Sequence, residues 1–184
     1  AETSPIFMLD LAASVTATGR KLLYMARDKI QNKFEGAEAL YGDTDSVFIN
    51  FKPKDEKGNI LKGKEGLKRA IELGVEAEKY VQNFLEKPHK LEYEKTFWPF
   101  ILFSKKRYIG HKYEFDVDNY KETSMGIVLK RRDNANIVKH VYGGVVKNIM
   151  INKDIPKSIT DLRKDIMDMI NGVFKLCLLY TSDA

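Results

Sequence analysis

Along the first third of the chain, apolar residues recur with a helical period and then switch to short blocks. Between Phe7 and about Phe34, Leu11, Val15, Leu22, Met25 and Ile30 form a stripe, with Arg20, Lys21, Arg27, Asp28 and Lys29 largely off it. Ala12, Ala13, Ser14, Ala17 and Gly19 are small, so this helix is expected to press closely on a sheet. At 39–49, two apolar runs flank Gly42-Asp43-Thr44-Asp45, which reads as a β-hairpin with carboxylates at its tip. Gly42 is the residue expected to take any positive φ, and Val47, Phe48 and Ile49 are strand formers that anchor the turn.

A polar, Lys- and Gly-rich loop follows at 52–66, with a turn at Asp55-Glu56-Lys57-Gly58-Asn59. A second amphipathic helix is predicted over 65–86, with Leu67, Ile71, Val75, Val81, Phe84 and Leu85 on one side. Gly74 weakens it by up to about 1 kcal/mol relative to Ala. Beyond Pro88, residues 90–95 alternate like a strand, Glu92 and Glu94 on one face and Leu91 and Tyr93 on the other. Residues 96–103 read as a buried run in which Pro99 marks a bend or sheet edge. A turn at Asp116-Val117-Asp118-Asn119 leads to a short strand near Tyr120. A helix is predicted from Lys130 to about Ile151, with Asp133 at its N-terminus. Pro156 breaks the chain, and Ser158-Ile159-Thr160-Asp161 opens a last helix with Leu162, Ile166, Met169 and Ile170 inward. The fold class is α+β.

Composition narrows the functional classes. With 43% hydrophobic and 31% charged residues the chain is ordinary for a soluble protein. Its longest apolar run, Phe97 to Phe103, contains Pro99 and falls far short of the roughly 20 residues a membrane helix needs. No basic–apolar–small leader opens the chain, so a membrane role and secretion are not expected. The net charge is +5, and nine Lys/Arg against five acids between Ser104 and His140 place most of that surplus in one fifth of the chain. Clustered cations suit a polyanion running along one face.

Two constellations carry candidate chemistry. The hairpin tip with Asp43 and Asp45 suits a hard divalent cation, because Mg²⁺ takes one or two carboxylates plus substrate phosphates. Lys105, Lys106, Arg107 and Tyr108 combine point charge, a fork of donors and a flat face, a clamp for phosphates and sugars that holds register without reading sequence. Two other features are set aside. His140 has no second ligand at metal spacing, and Asp116 and Asp118 lack the Gly and distal Glu of a calcium loop.

Tyr41-Gly42-Asp43-Thr44-Asp45-Ser46 resembles motif C of the family B DNA-directed DNA polymerases. Glu2-Thr3-Ser4-Pro5-Ile6-Phe7 is similar to the segment after that family's motif B. Ser104-Lys105-Lys106-Arg107-Tyr108 resembles its KKRY element, and Met125 to Asp133 its entry into the thumb. All four occur in family order, with wording most like the enzymes of large DNA viruses. The resemblance implies a palm-type antiparallel sheet backed by helices over 1–128, and the start of a mainly helical thumb over 129–176. It implies attack of a primer 3′-hydroxyl on a deoxynucleoside triphosphate, with two Mg²⁺ ions as cofactors and primer-template DNA as partner. In that scheme Asp45 is the direct metal ligand and Asp43 supports the site or ligates more weakly. Glu92 and Glu94 are candidate auxiliary carboxylates. Gly42, Thr44 and Ser46 belong to the turn, and Tyr41 packs near the primer terminus. Lys105, Lys106, Arg107, Tyr108, Lys130, Arg131 and Arg132 contact DNA.

The motif A aspartate and the motif B lysine are not in these 184 residues, so the chain by itself is expected not to polymerise. A replication site inside a host cell, nuclear or cytoplasmic, is the expected location, and a processivity partner is left open. Two alternatives remain at this stage: a DNA-binding module without catalysis, and an Asp-x-Asp glycosyltransferase that binds a nucleotide sugar through Mn²⁺. The last eight residues, 177–184, continue no pattern and resemble the translated end of a sequencing-library adapter. They are set apart as non-native, and with them the single cysteine, Cys177.

Overall fold

The first helix, α1 (Leu9–Lys33), forms where the 3.6-residue stripe runs, but only its second half is buried. In the computed structural model, which describes residues 8–130 and 134–180, Ala26 and Ile30 are sealed from solvent while Leu11 and Val15 stand exposed. The small residues Ala12, Ala13, Ser14, Ala17 and Gly19 are exposed too, so the expected close approach to a sheet is not made there. None of the described residues covers the first turns of α1. The strands β1 (Glu38–Asp43) and β2 (Ser46–Asn50) form a two-stranded antiparallel hairpin, and α2 (Gly63–Gln82) follows the loop.

Ala26 and Ile30 of α1 meet Ala77 and Val81 of α2 in one core, against which Phe34, Ile49, Phe51, Tyr80 and Leu91 pack. Phe34 stands edge-on to Phe51 at 5.5 Å and to Tyr80 at 6.3 Å. Val81 is completely buried, worth about 1.5–3 kcal/mol in water-to-core transfer. The loop before α2 is closed by Asp55, whose carboxylate accepts from the N–H groups of Lys57 and Asn59. Those bonds, that from Asn59 foremost, hold its pKa below the usual carboxylate range.

Residues 90–95 are not a strand, contrary to the alternation in the sequence. The reason is local: side chains of α2 take the backbone groups that a ladder would use. Gln82 Oε1 accepts from Leu91 N–H at 3.3 Å, and the Glu78 carboxylate accepts from Tyr93 N–H at 2.8 Å. The two faces survive without the ladder, Leu91 and Tyr93 half-buried and Glu92 and Glu94 exposed. Gly74 has a function that helix propensity does not reveal. A Cβ there would lie 2.6 and 2.7 Å from ring carbons of Tyr93, so only glycine lets that ring rest on α2.

A second sheet has the order β3 (Thr96–Ser104), β4 (Arg107–Tyr113), β5 (Lys121–Met125). Pro99 lies on the edge strand β3, where a missing N–H is tolerated. The central strand β4 carries Ile109, fully buried, and packs it with Ile127, Val146 and Met150. A 3₁₀ turn at Val128–Lys130 precedes α3 (Asn136–Lys147), which continues as a π turn over Asn148–Asn152. The helix therefore begins six residues after the expected Lys130. Ala135 is its N-cap; the expected Asp133 lies, with Arg131 and Arg132, outside the described residues.

The last helix, α4 (Ile155–Ile170), starts earlier than Ser158. Asp154 caps it by accepting from Lys157 N–H at 2.8 Å, and Pro156 sits in the first turn, where its lost N–H has no partner to lose. Pro156 thus starts this helix. The inward face is also corrected: Leu162 is half-buried, but Ile166, Met169 and Ile170 are exposed. The face toward α3 is polar. Ser158 donates to Val145 C=O at 3.2 Å, and Asp161 accepts from Asn148 Nδ2 at 2.8 Å.

The described residues make an α+β chain in two compact units. One comprises the described part of Ala1–Thr96 with Tyr113–Asn119; the other comprises Phe97–Lys112 and the described part of Tyr120–Ala184. No helix among the described residues is long and apolar enough to cross a membrane.

Candidate active site at a hairpin tip

The β1–β2 register runs from Glu38↔Asn50 to Asp43↔Ser46, leaving Thr44 and Asp45 as a two-residue loop. Asp45 is exposed at this tip and Asp43 is half-buried one step below it. The turn is tight: Asp45 N–H donates to Asp43 C=O at 2.6 Å, an i to i+2 bond, and Ser46 Oγ–H donates to the same carbonyl at 3.1 Å. Thr44 Oγ1–H donates to Asp43 Oδ1 at 3.1 Å, which orients that carboxylate.

Thr44, with φ +52°, takes the left-handed conformation expected of Gly42. Gly42 lies inside β1 instead, where a Cβ would sit 3.4 Å from Ser46 C=O and 3.8 Å from Leu23 Cδ2. A left-handed threonine costs of order 1–3 kcal/mol, and such strain concentrates at functional turns. Tyr41 and Phe48 pair across the strands with ring centres 5.3 Å apart, and a bulge between Ala39 and Tyr41 sets the twist above them. A groove of about 630 Å³ lies along the hairpin, lined by Arg20, Leu23, Tyr24 and Arg27 of α1 and by Tyr41 and Thr44.

Asp43 and Asp45 bring two carboxylates to neighbouring positions of the hairpin tip, the ligand type that Mg²⁺ takes together with substrate phosphates. Among the described residues no group of three or more His, Cys, Asp or Glu could hold a metal ion, so Glu92 and Glu94 do not join the two aspartates in one. Glu94 is instead paired with Lys95.

The basic element occupies a second hairpin. Lys105 and Lys106 form the two-residue turn between β3 and β4, Lys106 at φ +60°, and both are exposed with Arg107 beside them. Tyr108 differs from expectation, since it is buried against Phe97 (5.8 Å) and Phe100 (5.6 Å) and turns its face inward. Lys130 is the last residue of the 3₁₀ turn, five residues beyond β5. His140 is exposed, near Asp165 (4.0 Å) and the ring of Phe174, with no metal group around it among the described residues.

Residues 1–177 match the family model for DNA polymerase family B. The chain belongs to DNA polymerase family B. It is 49% identical to a DNA polymerase of Pyramimonas orientalis virus over 176 residues, 96% of this chain and 14% of that protein. It is 46% identical to a DNA polymerase of Acanthamoeba polyphaga mimivirus over 140 residues, 76% of this chain and 8% of that one. A DNA polymerase delta catalytic subunit of Glycine max is 34% identical over 179 residues, 93% of this chain and 15% of that one. The chain thus spans about one seventh or less of these relatives, and its likeness is to enzymes of large DNA viruses. Membership of family B sets the sugar-transferase alternative aside.

Proposed function

We propose that this chain is the part of a template-directed DNA polymerase that carries motif C, the basic hairpin and the start of the thumb, the thumb beginning near residue 129. The observation that supports this reading best is the hairpin tip: two carboxylates, one exposed and one oriented by Thr44, on a turn held by Ile49 and Phe48 in strand β2. Asp45 and Asp43 would hold magnesium. When bound, that ion supplies charge neutralisation on the phosphates and lowers the pKa of the attacking hydroxyl. The rest of the work is positioning, as phosphoryl transfer demands little covalent chemistry of the protein. Thr44 keeps the Asp43 carboxylate in place, Tyr41 offers its ring to the primer end, and Lys105, Lys106 and Arg107 grip phosphates without regard to sequence. The substrates in this reading are primer-template DNA and deoxynucleoside triphosphates, inside the cell that hosts replication.

The test is a chimaera in which residues 1–176 replace the matching segment of the Pyramimonas orientalis virus polymerase. Primer extension by the chimaera is expected, and Asp45→Ala should lower it about 10³-fold, the several kcal/mol that metal-held charge is worth. A chimaera that folds and extends equally well with Asp45→Ala would refute the assignment. The 184-residue chain alone should bind duplex DNA and extend nothing; extension by it would overturn the requirement for the missing aspartate.

A further inference from the structure

Gly126 lies beyond the end of β5, far from the hairpin-tip acids in sequence, yet it touches the basic turn directly. Its φ is +63°, and a Cβ built on it would lie 2.1 Å from the carbonyl oxygen of Lys106 and 3.2 Å from Cγ of Arg107. No relaxation of a flexible side chain relieves the first contact, because the neighbour is backbone. The turn cannot simply swing away either. One residue past Arg107, Tyr108 is pinned between Phe97 and Phe100 and is paired across the sheet with Met125, the neighbour of Gly126. Lys106 is already in the left-handed region at φ +60°, with little backbone freedom to spare.

We infer that Gly126 is a positioning residue for the Lys105-Lys106-Arg107 turn, setting the height and direction at which its cations meet duplex phosphates. The inference rests on the DNA-binding part of the proposed function. Any side chain at 126 must lift the Lys106 carbonyl by an ångström or more and push the Arg107 stem aside. A lysine on its long stem tolerates that shift, whereas the planar fork of Arg107 does not. The charge of the protein is unchanged, so the effect is one of geometry alone.

The experiment is a double-mutant cycle on the full 184-residue chain, reading the dissociation constant for mixed-sequence duplex DNA at two salt concentrations, with melting temperature recorded for each variant. One arm is Gly126→Ala; the other is a neutral turn, Lys105→Gln with Lys106→Gln and Arg107→Gln. The neutral turn should lower the salt slope by about two to three units, and Gly126→Ala by about one. Added to the neutral turn, Gly126→Ala should cost no further affinity, since the cations it misplaces are gone. If Gly126→Ala weakens binding by the same factor in both backgrounds, it acts through general folding and the inference falls while the DNA reading stands. If the neutral turn binds as tightly as the parent chain, the DNA reading of this turn fails, and the inference with it. Gly126→Asn, which accepts the left-handed backbone but still carries a Cβ, replaces the alanine variant should that chain not fold.

Discussion

Gly74→Ala sets two rules against each other in the middle of α2. Helix propensity favours alanine by about 1 kcal/mol, so on sequence grounds the substitution stabilises. The tertiary structure reverses the sign. The new methyl would meet the Tyr93 ring at 2.6 and 2.7 Å, about an ångström inside normal contact. That ring is tethered at its far end, where the hydroxyl bonds Thr96 Oγ1 at 2.7 Å and donates to Glu114 C=O at 2.9 Å. Moving the ring strains or breaks bonds worth about 1 kcal/mol each, and overpacking adds about 1–3 kcal/mol. Set against the propensity gain of about 1 kcal/mol, the net loss is about 1–4 kcal/mol. For a unit of about 100 residues each kcal/mol moves the melting temperature by about 4–8 °C. Thermal unfolding followed by circular dichroism should show a drop of at least about 4 °C, and in a Tyr93→Ala background, where the ring is gone, Gly74→Ala should cause no further drop. A Gly74→Ala chain that melts higher than the parent would refute the reasoning.

Three other predictions concern the cap, the buried histidine and the tip. Asp154→Ala should cost α4 about 0.5–2 kcal/mol through loss of the bond from Lys157 N–H, seen as a lower denaturation midpoint, while Asp154→Asn should keep most of it. His111 is buried, stacked on Tyr120 at 4.2 Å and paired across the sheet with Glu122; burial lowers its pKa below the ordinary histidine value, and Glu122 opposes that in part. The folded state then binds fewer protons than the unfolded, so stability is intact above about pH 6.5 and falls as pH drops below it, and His111→Phe should remove that part of the pH dependence in urea melts. Thr44→Gly should relieve the left-handed strain and stabilise the chain, yet lower primer extension in the chimaera by loosening Asp43, a split that extension assays and melts together would check.

Much of this protein is legible along the chain. The hairpin at 38–50 follows from apolar blocks around a polar turn, and α1 and α2 follow from stripes that must be buried against something. The motif order places the chain in family B because each motif is a contiguous run, and contiguous runs need no tertiary information. The strand expected at 90–95 failed because alternation reports which faces are wet, not whether a neighbouring strand exists to complete the ladder. Although Pro156 reads in the sequence as a break, α4 starts at Ile155, because a proline in a first turn gives up no hydrogen bond.

The residues' own chemistry therefore determined the elements, the acids at the tip and the cations of the second turn, since these depend on side-chain type and on spacing of a few residues. Only the tertiary structure decided that Thr44 rather than Gly42 bears the left-handed backbone, that Tyr108 faces inward, and that Gly74 and Gly126 are the sites of close approach. The two glycines depend on partners about 20 residues away, Tyr93 for Gly74 and Lys106 for Gly126, and a missing side chain leaves no trace in sequence of the atom that occupies its space.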